Sequence, residues 1–385
     1  MTLNAESIQV MNFANGLKEL GHDVEINAPF ISHAIKHDEA IKQGRSKEGI
    51  NINFVPVINL KYLRPLSFLF LSPLYILFYL LKKRTDAVIC FDLCNAPFII
   101  PAVKTFGFPV LLYLNSIISE DMEIAGRNKL LIWLVERCYR MNVRLSNLVA
   151  VVAVPIREYI IEKKCKAPDK VEVIRDAVDT ERFKVMDKEA ACRELGLSPS
   201  FIYIGFVGSL CPWHGVDYLI KAAPFILKED ERIRFIIVGD GMMRKELSEM
   251  ADKRAISDKI IWTGFVPYEK VPLYIAAFDA AVIFFKSKMQ KKMRKNYGSP
   301  MKIFEYFACG RAVIASPGPE YGDFVEELGA GLSIDPENSE DFAKKVISLI
   351  KDKERLRQMG NNGRKAMVEG HTWKTRAKEM EELLK

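Results

Sequence analysis

The chain has 385 residues, beyond the length at which one hydrophobic core stops growing, which excludes a single small module and predicts two α/β domains. Hydrophobic residues make up 49% and charged residues 27%, the composition of a folded enzyme and not of a disordered or fibrous chain. A formal net charge of +7 is spread along the chain, which argues against a nucleic-acid-binding arm and for an anionic ligand or an acidic membrane surface.

In chain order, Ser7 to Leu20 carries apolar residues at helical spacing, Gly21 supplies a C-terminal cap, and Val24 to Ala28 reads as a short strand. A doubly wound domain normally opens on a central strand, so a chain that opens on this helix is expected to lack its first strand. The first residues, Met1 to Asn4, lack the basic and apolar regions of a secretory signal. The seven cysteines contain no C-x-x-C pair, so neither a disulfide framework nor a zinc site is indicated, and a cytoplasmic protein is expected. Leu66 to Leu81 has no charged residue and is flanked by Lys61, Arg64, Lys82, Lys83 and Arg84. Its length falls short of a bilayer and Pro73 interrupts it, which leaves a kinked core helix or an interfacial membrane-docking surface over residues 61–84.

Strands over Ala87 to Phe91, Val110 to Leu114 and Leu148 to Ala153 alternate with helices such as Lys129 to Leu145, the pattern of a parallel sheet. A second β/α series starts near residue 200. Its strands are Phe201 to Val207, Arg234 to Val238, Lys259 to Thr263, Ala280 to Phe284 and Ala312 to Ala315. Its helices are Val216 to Leu227, Met243 to Ala251, Lys270 to Ala277 and Pro300 to Ala308, followed by two closing helices. The expected division is an N-terminal domain over 1–183, a C-terminal domain over 184–370, and a last helix over 371–385 that crosses back to the first domain.

The richest stretch is Tyr297 to Gly310, which reads Y-G-S-P-M-K-I-F-E-Y-F-A-C-G. Ser299 suits an N-cap and Pro300 the first helical position, so free backbone N–H groups would sit at this loop and could bind phosphate. Lys302 could add a point charge there, and Glu305, one turn on, could accept bonds from two vicinal hydroxyls. Spacing alone equally allows a capped surface helix with a Lys302–Glu305 ion pair. Between Lys286 and Lys295 lie six basic residues and no acid, a solvated loop or a set of cations for phosphate. No aromatic residue is interleaved with them, so no nucleic-acid partner is expected.

This run resembles the donor-binding motif of the retaining GT-B glycosyltransferases of family 4 (group 1), in the variant S-P-x-K-x-F-E-Y. Supporting segments are Phe206 to Gly215, Val238 to Gly241, Thr263 to Pro267, Gly363-Arg364 and Thr372-Trp373. The resemblance implies an α/β GT-B fold of two Rossmann-like domains facing across a cleft. It also implies transfer of a sugar from a UDP- or GDP-sugar to a saccharide or lipid-linked acceptor, without a cofactor and without a metal. By the same resemblance Glu305 would hold the ribose, Lys302 the phosphates, and Val266 the base. The backbone of Gly298, Ser299, Pro300 and Met301 would meet phosphate or sugar, and the Gly208 loop, with Ser209 and His214, would approach the pyrophosphate. Four departures from the pattern stand out. Ser209 and His214 replace an Arg and a Lys, Tyr297 replaces a Glu, Asn115 stands where many members place a His near the sugar, and Arg175 to Asp179 alters a Pro-Asn-Gly-Val-Asp turn. Asn115 and Tyr297 are therefore the candidate catalytic positions. Competing expectations are a nucleotide-sugar epimerase or hydrolase of the same fold, or a degenerate nucleotide-sugar-binding protein, and the enzyme reading places the chain at the inner face of a membrane.

Overall fold

The structure is a computed structural model, and it describes residues 5–29, 49–58, 60, 63–91, 98–124, 126–286 and 299–385. Contacts divide the chain into two compact units. One comprises Met1–Asp176, Lys292–Ser299 and Trp373–Lys385, the other Ala177–Lys291 and Pro300–Thr372.

The first unit opens on α1 (Ala5–Glu19), after which Gly21 turns the chain into β1 (Glu25–Pro29). Next come β2 (Asn51–Val55), α2 (Leu63–Lys82), β3 (Val88–Phe91), α3 (Ile99–Lys104) and β4 (Val110–Leu114). Then follow α4 (Ile118–Ile124), α5 (Lys129–Leu145), β5 (Leu148–Val151), α6 (Val154–Glu162) and β6 (Val171–Val173). The strands β1 and β2 pair parallel in their own two-stranded sheet, and β3-β4-β5-β6 form a parallel sheet in that order. Its inner strand β4 is Val-Leu-Leu-Tyr-Leu and buried throughout, the apolar run expected of a strand covered on both faces.

The second unit carries α7 (Lys188–Glu194), β7 (Ile202–Val207), α8 (Val216–Glu229), β8 (Ile233–Val238) and α9 (Arg244–Asp252). It continues through β9 (Ile260–Gly264), α10 (Val271–Ala277), β10 (Ala280–Ile283), α11 (Met301–Ala308) and β11 (Ala312–Ala315). Closing it are α12 (Gly322–Glu327), β12 (Gly331–Ser333), α13 (Ser339–Lys351) and α14 (Lys353–Gly370), and α15 (Trp373–Leu384) returns to the first unit. There α15 lies on α1, with the rings of Phe13 and Trp373 5.1 Å apart. Gly16 allows the approach, since a Cβ there would stand 2.7 Å from the Trp373 carbonyl oxygen.

The six strands of the second unit run parallel in the order β12-β11-β10-β7-β8-β9, a doubly wound sheet whose order reverses between β10 and β7. Loops that leave the carboxyl ends of strands at such a reversal make the usual ligand crevice of this architecture. Most predicted elements differ from the observed ones only by a residue or two at the ends, where helix and strand boundaries are least sharp. Two closing helices and a last helix over 371–385 were expected after β11; α13, α14 and α15 take those places, whereas α12 and β12 come in addition. The three-residue β12 is too short to leave an alternation pattern, and the same brevity hides β6. The expected N-cap at Ser299 is displaced too. Pro300 occupies the cap position, and the Ser299 hydroxyl is buried without a hydrogen-bond partner.

In the core of the second unit, Gly205 lies under the buried ring of Phe278, and a Cβ on it would fall 2.2 Å from three ring carbons. With both groups enclosed, neither can yield. Gly205→Ala is therefore expected to destabilise the protein by about 1–3 kcal/mol or more, read as a lower denaturant midpoint.

Candidate functional site

Three successive strands of the second unit end in glycine corners stacked on one another. The amide of Gly208, after β7, donates to the Val238 carbonyl at 2.9 Å, and the amide of Gly239, after β8, donates to the Gly264 carbonyl at 2.9 Å. Gly208 and Gly239 have φ of +140° and +130°, which other residues rarely adopt, and a Cβ on Gly239 would stand 2.1 Å from the Gly208 carbonyl oxygen. The backbone at the carboxyl end of β7 therefore carries no side chain of its own at position 208, which leaves that space to Lys302. The loop then passes through Ser209, Cys211 and a 3-10 turn over Pro212–His214, and Gly215 leads into α8 with no side chain capping it.

Beside these corners stands α11. Its first turn has neither a side-chain cap nor an acidic residue, so its N-terminal dipole favours an anion. Residues Ile303 to Ala308 are all buried, which rules out a capped surface helix. Nor do Lys302 and Glu305 form an ion pair. The Lys302 ammonium is enclosed without a hydrogen-bond partner, 4.6 Å from the centre of the Phe206 ring and 2.6 Å from where a Cβ on Gly208 would lie. Burial lowers its pKa to about 8, with Glu305 opposing the shift. An enclosed cation facing open backbone is a receptor for an anionic group.

Glu305 is 6% exposed, and its Oε1 accepts a hydrogen bond from the Tyr268 hydroxyl at 2.8 Å. Burial raises its pKa to about 7, against the pull of Tyr268, Lys302 and Arg182. Tyr268 follows the Gly264 corner and half-buried Val266, and Arg182 stacks over its ring at 5.4 Å. Tyr306, one residue beyond Glu305, fixes α11 to the sheet by accepting the Val207 amide at 2.7 Å. The second unit thus brings Gly208, Ser209, His214, Val266, Pro300, Met301, Lys302 and Glu305 to the carboxyl ends of β7 to β9 and the start of α11. Tyr268 and Arg182 join them with no local motif to announce either one.

His214 occupies a position expected to carry charge. Its Nδ1 lies 2.5 Å from the Ser209 carbonyl oxygen, and its pKa is pushed down to about 3 by burial and by Lys302, so the ring is neutral at physiological pH. Lys286, the first of the basic run, is bound at 2.9 Å to Asp217 in the first turn of α8, where Lys221 also meets that carboxylate at 2.8 Å. It therefore anchors its own loop and is not a free phosphate clamp. The other five basic residues of that run, with Tyr297 and Gly298, lie outside the described residues. Gly363 and Arg364 serve the scaffold: Gly363 lies against Phe307, and Arg364 donates to the carbonyls of Thr180, Phe183 and Ala308.

Asn115 belongs to the first unit, directly after β4. Its Nδ2 donates to Gln9 Oε1 at 2.6 Å, Gln9 Nε2 donates to Asp176 Oδ1 at 2.6 Å, and the Tyr113 hydroxyl donates to the Ile174 carbonyl at 2.9 Å. The altered turn at Asp176 is thus an anchor for α1.

Residues 187–366 match the family Glycosyl transferases group 1, and residues 7–182 match Glycosyltransferase Family 4. A D-inositol 3-phosphate glycosyltransferase of Segniliparus rotundus is 28% identical over 201 residues, 51% of this chain and 42% of that protein. A GDP-mannose-dependent alpha-(1-6)-phosphatidylinositol monomannoside mannosyltransferase of Mycolicibacterium smegmatis is 27% identical over 218 residues, 56% of each chain. The matches therefore span about half the length of these relatives. Among solved structures, sucrose-phosphate synthase from Thermosynechococcus elongatus superposes with a TM-score of 0.77 at 17% identity, over 99% of this chain and 92% of that one. Anabaena Alr3699/HepE in complex with UDP gives 0.73 at 17% identity, over 100% and 96%. At such identities the likeness establishes the fold.

The electrostatics of Glu305 are testable in the free protein. Its folded-state pKa of about 7 lies above the ordinary 4.5, so the folded state holds the proton more tightly, and stability falls as pH rises through that window. Glu305→Gln should remove that decline and raise stability above neutral pH by about 1–3 kcal/mol, measured by denaturant unfolding at several pH values.

Proposed function

The chain belongs to the group 1, family 4 glycosyltransferases of the GT-B type, and from that premise we propose that it moves a hexose, with retention, from a UDP- or GDP-sugar to a saccharide or lipid-linked acceptor. The observation that carries this reading is the enclosed, unpartnered ammonium of Lys302 one helical turn from the buried carboxylate of Glu305, both beside the glycine corners. Their spacing suits a diphosphate joined to a ribose. Glu305 accepts bonds from the ribose hydroxyls, Lys302 and the first amides of α11 at Met301 hold the diphosphate, and Val266 borders the base. Ser209, Ser299 and Pro300 line the phosphate and sugar.

In the reaction the bond from the anomeric carbon to the β-phosphate oxygen breaks with oxocarbenium character, and the acceptor oxygen forms its bond on the same face. The departing phosphate takes the acceptor's proton. The negative charge it gains is met by Lys302 and the helix N-terminus, so no metal is required. Asn115 and Tyr297 are the candidates for contact with the transferred sugar. Support for a nucleotide donor comes from Alr3699/HepE, which has been solved with UDP-glucose, and support for a lipid acceptor from the phosphatidylinositol mannoside enzyme.

A membrane-borne acceptor is favoured by the first unit's surface. Along α2, Phe70, Leu74, Phe78 and Leu81 are 61, 63, 57 and 72% exposed and fall in one stripe at helical spacing. Its other face is buried at Ser72 and Leu80, so α2 is not wholly enclosed. No described helix is long and apolar enough to cross a membrane. On α5, Leu130, Leu131, Trp133 and Leu134 are also exposed. Cations accompany both sets of apolar residues, Lys82 lying 4.1 Å from the Phe78 ring centre and Arg137 4.9 Å from that of Trp133. Apolar side chains fringed by cations suit the inner leaflet of an anionic membrane.

Thermal shift with UDP-, GDP- and ADP-sugars tests the donor. Glu305→Ala should weaken its binding by about 1.5–3 kcal/mol for each hydroxyl bond lost. Lys302→Ala should weaken nucleoside diphosphates far more than the bare nucleoside, and equal losses would remove Lys302 from the phosphate site. Product analysis must show sugar on an acceptor; a free or epimerised sugar formed without acceptor would assign hydrolysis or epimerisation instead. The protein should sediment with anionic vesicles more than with neutral ones, and Phe70→Ser with Leu74→Ser should abolish this without loss of donor binding.

A further inference from the structure

His214 lies in the loop that joins β7 to α8, with its ring 6.1 Å from that of Phe206 and 6.0 Å from that of Trp213. The hydrogen bond from its Nδ1 settles the tautomer. A backbone carbonyl oxygen can only accept, so the hydrogen between Nδ1 and the Ser209 oxygen, 2.5 Å apart, belongs to Nδ1. In the neutral ring Nε2 is then a bare lone pair. A phosphate oxygen, itself only an acceptor, is repelled by that nitrogen and attracted by the same nitrogen once it is protonated.

Among the described residues the charges around the ring are few. From α11, Lys302 stands on the Phe206 ring, and Glu305 follows one turn later, already bonded to Tyr268. In the loop after β8, Asp240 turns its carboxylate to the Gly241 amide, and in α8 Asp217 is taken up by Lys221 and Lys286. Within the loop itself, Ser209 and Cys211 are uncharged neighbours of one another. Among the described residues the ring thus meets one cation and no anion free to balance it, and it rests neutral. An arriving diphosphate supplies the missing negative charge.

On the reading above, we propose that His214 is a proton-linked ligand of the donor diphosphate: Nε2 binds one proton from solvent as the diphosphate enters and returns it when the site empties. Where an arginine or lysine would hold phosphate at all pH values, this chain holds it with a charge that exists only in the complex. Once the proton it took from the acceptor passes to solvent, the nucleoside diphosphate carries more negative charge than the donor, so the protonated ring grips product more tightly than substrate, and release is favoured by rising pH.

Calorimetric titration of the full chain with UDP-glucose and with GDP-mannose, in buffers of different ionisation heat near neutral pH, counts the protons taken up. Uridine and guanosine serve as controls that engage Glu305 but not the phosphate loop. The nucleotide sugar is expected to take up about one proton more than its nucleoside, with affinity falling about tenfold per pH unit over roughly pH 6 to 7.5. His214→Arg should bind without the extra proton and with a flatter pH profile, while Lys302→Arg should keep it. His214→Gln, which cannot be protonated, should also lose the extra proton and bind more weakly below neutral pH. Nucleotide-sugar binding with no excess proton uptake, or the same uptake in the His214 variants, overturns the proposal and leaves the donor site standing. Absence of binding by either sugar nucleotide at any pH overturns the donor site and this proposal together.

Discussion

The second unit depends on one steric constraint, the contact of backbone with backbone at the ends of β7 and β8. The Gly208 carbonyl occupies space that any side chain at position 239 would need, and a Cβ on Gly241 would come within 2.7 Å of the Leu210 backbone. Because the loops nest without side chains, strand ends are exposed as bare amides and carbonyls. Phe206 and Tyr306 can then bring α11 close enough for Lys302 to cover Gly208. A methyl group at position 239 would separate the loops and carry the lysine away from the strand end it serves.

On that scaffold sit ionisable groups that the free protein leaves poorly compensated. Lys302 has an aromatic face but no hydrogen-bond acceptor, and Glu305 has a single tyrosine hydroxyl. Scaffold charges in the same unit are treated differently. Asp217 meets two lysines, and Arg364 satisfies three carbonyls. This contrast, more than any one distance, sets Lys302 and Glu305 apart and supports the proposed site, since a buried charge is normally matched by partners within the protein.

Much of this was legible in the sequence because it is local. The glycines at 208, 215, 239 and 264 and the run from Ser299 to Glu305 are fixed by short spacing, and the alternation of apolar runs yields the parallel sheet. What sequence could not carry is pairing across distance. Tyr268 reaches Glu305 across 37 positions, Asn115 reaches Gln9 across 106, and Lys286 in a loop finds Asp217 on α8. The basic run looked like a single feature, yet its first member is spent on an ion pair that depends on where α8 begins. The amphipathic character of α2 was half visible. Its lack of charge was plain, but which residues face outward depends on Glu25, whose carboxylate ties down Tyr79 and Lys83.

The enclosed lysine and the half-satisfied glutamate also bear on how long the protein survives in a cell. A folded state that holds unpaired charge lies closer to its unfolded state than the same fold would with those groups matched, and a bound anion closes part of that gap. Proteases that act on transiently opened chains sample that difference directly. On the proposed reading, the steady-state amount of this protein is tied to the supply of that anion: chains that meet it often are spared, and chains that rarely meet it are cleared.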